Sequence, residues 1–297
     1  MRKLPVFATL GEVLSGVTRH YFQLLAASWP AVLVLLTAFS VYLWQLNSVG
    51  YFAALTANEG KPDLVALEAA GLALASGSNA LIFYSAEIVL IVASAVAAVR
   101  WHRLVLLGEG TNGEGGVVVL RKEDGTYLLT LLKIILLVVL VVLVIGALIA
   151  LTAMLKSVPL YGLILIVMVV SLFILYFWLI GALLRLSLAL PDASIGAGGR
   201  VFAVYKASAG NTMRLVGLTF LLGFVTLIGF AVIMVGWGAV TGVALGAGAS
   251  ASLAVMGAGA VIGLAAYLYF LMAQVTMLSV AYREIIGLPG RELSPEA

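Results

Sequence analysis

Six separate stretches of this 297-residue chain are each long enough and apolar enough to cross a bilayer, and that limits the fold more than any other feature. A hydrocarbon core of about 30 Å needs about 20 residues of helix. The stretches run over Leu24–Leu46, Ala80–Val99, Leu131–Met154, Leu160–Leu184, Leu215–Val240 and Leu253–Val280. Each must be helical, because a lone strand would leave its backbone N–H and C=O groups unpaired in lipid. No succession of short alternating segments suggests a barrel. Composition agrees. Apolar residues make up 64% of the chain and charged residues 10%, against about 25% charged in a soluble domain. The expected fold class is therefore all-α integral membrane, one polytopic domain over residues 1–297.

The basic residues are placed asymmetrically about these spans. With six crossings, all 16 Lys and Arg except Lys61 and Lys156 fall on the side that holds the N-terminus. One span more or fewer destroys that pattern. The positive-inside rule then predicts that both termini are cytoplasmic, in a bacterial inner membrane. The opening "MRK" is followed by a mixed-polarity segment and by no small-residue cleavage site, so the first span reads as a retained anchor. The outer connections are short and carry few charges. Within residues 47–79, the run "PDLVALEAAGLALA" predicts a short interfacial helix.

The chain also shows a pattern of three. "FATLGEVLSGVTRHYFQLL", "VVVLRKEDGTYLLTLLK" and "RVFAVYKASAGNTMRLVGL" each lead into an outward-going span and suit amphipathic helices in the headgroup plane. Three inward-going spans end alike, in "RLVLLGEG" from Arg103, "RLSLALPDA" from Arg185 and "REIIGLPG" from Arg283. Three hairpins are expected, over about 6–108, 117–192 and 198–288, each preceded by a short interfacial helix. The Gly210–Asn211 pair predicts a bend into the fifth span.

The motifs "GEVLSGVTRHYFQLL", "WHRLVLLGE", "RLSLALPDASIGAGGRVFAVYKASAGNTMRLVGL" and "SVAYREIIG" resemble bacterial six-span proteins of the YciC-like kind, related to glycerophosphoryl diester phosphodiesterase membrane domains. The resemblance covers most of the chain and implies the six-span fold. It implies no activity, because the phosphodiesterase barrel is missing. "WHRL" has a His-Arg pair without the barrel's Gly or its acidic cluster, so no catalytic residue carries over.

Few residues are available for chemistry. Cysteine is absent and there are two histidines, His20 and His102. That excludes disulfides, thiolate nucleophiles and Cys-based metal sites, and no metal site, cofactor or nucleic-acid partner is expected. Glu87 stands out as the acid inside a span. A carboxylate there is costly unless protonated, paired or facing water. It is either a proton- or cation-coupling group or a neutral group that hydrogen-bonds neighbouring helices. Lys133 and Arg185 read as snorkelling anchors. Arg100, His102, Arg103, Arg185, Arg200, Lys206 and Arg214 are expected to face anionic lipid on the inner side. Gly238, Gly242 and Gly246, with Gly259 and Gly263, form small-residue faces that suit close helix packing or a homo-oligomer. The "GEGTNGEGG" loop lacks the Lys-Ser/Thr of a phosphate loop.

These features point to a non-enzymatic membrane scaffold, envelope-homeostasis factor or complex subunit, with membrane lipids and a membrane-protein partner or second copy as its contacts. A small proton-coupled transporter using Glu87 is the alternative. A lipid-modifying enzyme is a weaker one, resting on the family's name.

Overall fold

The computed structural model describes residues 2–56, 63–108, 121–154, 160–245 and 249–288. These fold into ten helices, with no strand among the described residues. In chain order they are α1 Val6–Ser48, α2 Tyr51–Thr56, α3 Leu64–Leu74, α4 Gly77–Leu107, α5 Lys122–Met154, α6 Tyr161–Ser187, α7 Ala189–Ser194, α8 Val201–Ala207, α9 Thr212–Leu245 and α10 Ala249–Ile285. Six of them, α1, α4, α5, α6, α9 and α10, contain stretches long and apolar enough to cross a membrane. The all-α, six-span, multi-pass architecture is as the hydropathy required.

The expected interfacial helices are realised unevenly. α3 forms where predicted, and Asp63 caps it by accepting the N–H groups of Val65 and Ala66, both at 3.1 Å. α8 is a separate helix, and Gly210 at φ +81° makes the turn into α9. The first two amphipathic segments are not separate elements. α1 runs unbroken for 43 residues, about 65 Å at 1.5 Å per residue. α5 likewise runs from Lys122 straight into its span. The reason is local. Gly11, Gly16 and Gly125 all lie within continuous helix and none is left-handed, and the one proline inside α1, Pro30, falls within the span, past the junction with the amphipathic segment.

α1 packs along α4 and α10, and α10 packs along α9. The apolar core is concentrated at one end of this group. α1 supplies Val13, Val17 and Leu24, α9 supplies Leu215, Leu218 and Leu222 from its first turns, and α10 supplies Met272, Met277 and Tyr282 from its last. At the other end, α1 and α4 are held by Gln45 Nε2 donating to Asn79 Oδ1 at 2.8 Å and by the Tyr42 and Phe83 rings at 5.0 Å. The α5–α6 hairpin is different. Over an apolar 18-residue stretch of each span, 50% of the residues are buried in the Ile262–Ile285 part of α10, but only 6% in α5 and none in α6. These two helices join the rest mainly through their partners α4, α7, α8 and α9.

The small-residue faces of the fifth and sixth spans fall largely outside the description. Gly246 lies beyond the described residues, and of Gly238, Gly242 and Gly259 only the helical backbone is described. Among the described residues, a Cβ on Gly263 would meet nothing within 4 Å. The tight glycines are elsewhere. A Cβ on Gly181 would sit 2.4 Å from the Thr212 methyl, where α6 meets α9.

Candidate functional site

The ends of all six long helices that lie nearest the N-terminus converge on one layer of buried polar groups. Its centre is α7. Pro191 falls in the first turn of this short helix, where a missing N–H is tolerated. Every residue of α7 is buried, so the helix works as a plug beneath α4, α5, α6 and α10. Asp192 is wholly buried. Its Oδ1 accepts from the Tyr282 hydroxyl at 2.8 Å, its Oδ2 accepts from the Arg200 backbone N–H at 3.1 Å, and the Arg200 guanidinium lies 3.5 Å away. A buried carboxylate is tolerable only with such partners.

The loop after α7 returns to its own start because Gly196, Gly198 and Gly199 all take positive φ. Gly199 has a second constraint. A Cβ there would lie 2.2 Å from the Thr130 hydroxyl and 3.1 Å from the Ala193 methyl, so α5 and α7 approach over bare backbone.

Asp124 performs a related task at the start of α5. Its Oδ2 accepts the Arg121 N–H at 2.7 Å, the reach-back of a capping box. The same oxygen accepts from the Arg100 guanidinium of α4 at 2.9 Å. Trp101, also fully buried, donates its indole N–H to the Leu24 carbonyl at 2.8 Å and to the Ser28 hydroxyl at 2.6 Å, tying α4 to α1. His102 lies 2.7 Å through Nδ1 from the Ser279 hydroxyl of α10 and stacks obliquely on Tyr127 at 5.8 Å. An extended strap closes the layer. Asn211 accepts the Leu4 N–H and donates to the Arg2 carbonyl, and Arg214 donates to the Leu4 carbonyl, all at 2.9 Å.

The basic residues expected to face lipid therefore divide. His102 is 0% exposed and cannot do so; imidazole burial between α5 and α10 corrects that expectation. Arg100 is committed to Asp124, Arg103 donates to the Ser194 carbonyl at 3.0 Å, and Arg214 holds the strap. Arg185 lies 3.8 Å over the Tyr205 ring and donates to the Ser208 hydroxyl and the Tyr205 carbonyl, so it fastens α8 to α6. Only Lys206 and the Arg200 side chain, 63% accessible, project outward.

Glu87 does not join this layer. It is exposed on the outside of α4, with no partner among the described residues. A groove of about 630 Å³ between the outer halves of α1 and α4 is lined by residues such as Leu33, Thr37, Val41, Ser85 and Val89, and leaves Glu87 out. The structure thus brings Glu87 to neither a second carboxylate nor a passage. Among the described residues there is also no cluster of three His, Asp or Glu side chains that would hold a metal ion.

The sequence gives no site role to Asp192, Asp124 or Tyr282, and Asn211 figures there only as part of a bend. One signal for Asp192 was present: an acid in the apolar run "LALPDASIG", where a solvated carboxylate has no polar company. Compared with known protein families, curated proteins and solved structures, the chain matches none.

Proposed function

We propose that this chain is a non-enzymatic scaffold or complex subunit of a bacterial inner membrane, with the polar layer and both termini on the cytoplasmic side. One observation carries the reading: the spans of α5 and α6 present nearly all their side chains outward, while the polar atoms of the chain are spent on fastening helix ends together. In lipid, helix association draws on packing rather than on hydrophobic expulsion. Two spans that pack so little within the chain are suited to pack against another membrane protein. Transport through Glu87 draws less support, because that carboxylate faces away from the bundle interior.

The reading is tested by placing a photo-reactive residue at Leu143 of α5 or Phe173 of α6, each 64% exposed, and another at Leu81 of α4, 73% exposed. Irradiation of intact membranes should give discrete protein adducts from the first two sites. Lipid adducts alone from Leu143 and Phe173 would remove the support for a scaffold.

A further inference from the structure

We propose that α8 and its flanks form a ledge that binds anionic phospholipid headgroups at the bilayer surface. Together with α7 the helix connects the end of α6 to the start of α9, and Arg185 fastens it to α6, so it lies where two membrane-crossing helices leave the apolar layer. Val204 is its buried face, 3% exposed against the bundle. The opposite face carries Phe202 and Lys206, four residues apart and therefore stacked along one side. Phe202 is 79% exposed, and Met213, in the first turn of α9, is 80% exposed. Arg200 precedes the helix with its guanidinium largely in the open.

Charge selects the headgroup. No Asp or Glu occurs between Asp192 and Glu284. Asp192 itself is buried, with both oxygens engaged. Lys206 has no carboxylate beside it among the described residues, and the Arg200 side chain, though 3.5 Å from the buried Asp192, stays 63% accessible; an aromatic ring and a thioether flank the two cations. A bilayer surface with negative headgroups supplies both complements: phosphate oxygens for Arg200 and Lys206, and acyl chains for Phe202 and Met213. A soluble acidic partner would leave the apolar side chains without a place. Arg100, Arg103, Arg185 and Arg214 are occupied within the layer. The other exposed cations, such as Arg19 and Lys133, lie on other helices, so the site is the local grouping of Arg200, Phe202 and Lys206 and does not reflect net charge. The proposal concerns this end of the bundle whichever compartment it faces, and so stands apart from the scaffold reading.

The test uses the purified full-length chain in mild detergent and native mass spectrometry, with phosphatidylglycerol and phosphatidylcholine as competing probes. The wild-type chain should retain phosphatidylglycerol in preference. The R200Q/K206Q chain should lose about twenty-five-fold of that preference, since each basic residue near an anionic surface contributes a factor of about five. Phe202→Ser should weaken both lipids alike, and Lys133→Gln, an exposed basic residue on α5, should change neither. An unchanged preference in R200Q/K206Q, or an equal loss of both lipids, overturns the proposal. Should that variant misfold, a dye on cysteine at the exposed Ala203 keeps the test open. Its emission should shift to the blue when phosphatidylglycerol replaces phosphatidylcholine in nanodiscs, and the absence of a shift would contradict the ledge.

Discussion

Asp192→Ala is expected to lower the stability of the folded chain by about 2–4 kcal/mol. The substitution leaves the Tyr282 hydroxyl, 1% exposed by residue, and the Arg200 N–H without their acceptor. An unsatisfied buried donor costs about 1–3 kcal/mol, which is more than a hydrogen bond contributes when both partners are removed. Two variants separate the components. Tyr282→Phe removes one donor and one buried hydroxyl together, so it should cost less than Asp192→Ala. Asp192→Asn keeps the volume and one acceptor oxygen, and should fall between the two. Unfolding by denaturant in mixed micelles orders the three. Equal effects for all would mean that α7 is held by its apolar contacts alone.

Trp101→Ala is expected to cost about 3–5 kcal/mol, the range for removing a fully buried large aromatic side chain. The indole is 0% exposed and bridges α4 to α1 through two acceptors. Trp101→Phe divides the effect. It retains most of the apolar volume and removes the N–H, leaving a loss of about 1–2 kcal/mol for the hydrogen bonds. Because Ser28 donates to the same Leu24 carbonyl, that acceptor keeps a partner in the variant. The same unfolding measurement checks both variants. A cost below 1 kcal/mol for Trp101→Ala would contradict the placement of this residue in a packed, closed layer.

The spans were legible because the bilayer turns a physical requirement into a count of apolar residues. Leu131–Met154 and Leu160–Leu184 needed no knowledge of their neighbours to be read as helices, and they are the least buried spans in the structure. The bend at Gly210–Asn211 was legible for a similar reason: a left-handed glycine is a local feature. Continuity of α1 through Tyr21 to Leu24 was harder, since amphipathicity tells which face is wet and not whether the helix axis turns. The polar layer was hardest. Asp192 meets Tyr282 across 90 positions, and His102 meets Ser279 across 177. Nothing in the spacing of either pair encodes the meeting; it follows from how α4, α7 and α10 pack. Glu87 shows the same limit from the other direction. Its depth in a span was readable, but the side of α4 it occupies depends on where α1 and α10 lie. His102 reversed for that reason too. "RWHRL" reads as an interfacial cluster, yet Trp101 and His102 turn inward while Arg100 and Arg103 stay at the margin.

The chain has no native cysteine, so single cysteines report position without a background. Ser48 and Ser76 are exposed at the end away from the polar layer, and Ser15 and Ala207 are exposed at the end that contains it. Labelling with a membrane-impermeant maleimide on intact cells tests the central claim, a six-span bundle whose polar layer lies on the cytoplasmic face. The prediction is that cysteines at Ser48 and Ser76 react from outside, and that those at Ser15 and Ala207 react only after the membrane is opened. Reaction of all four from the same side, or the reverse assignment, would contradict it.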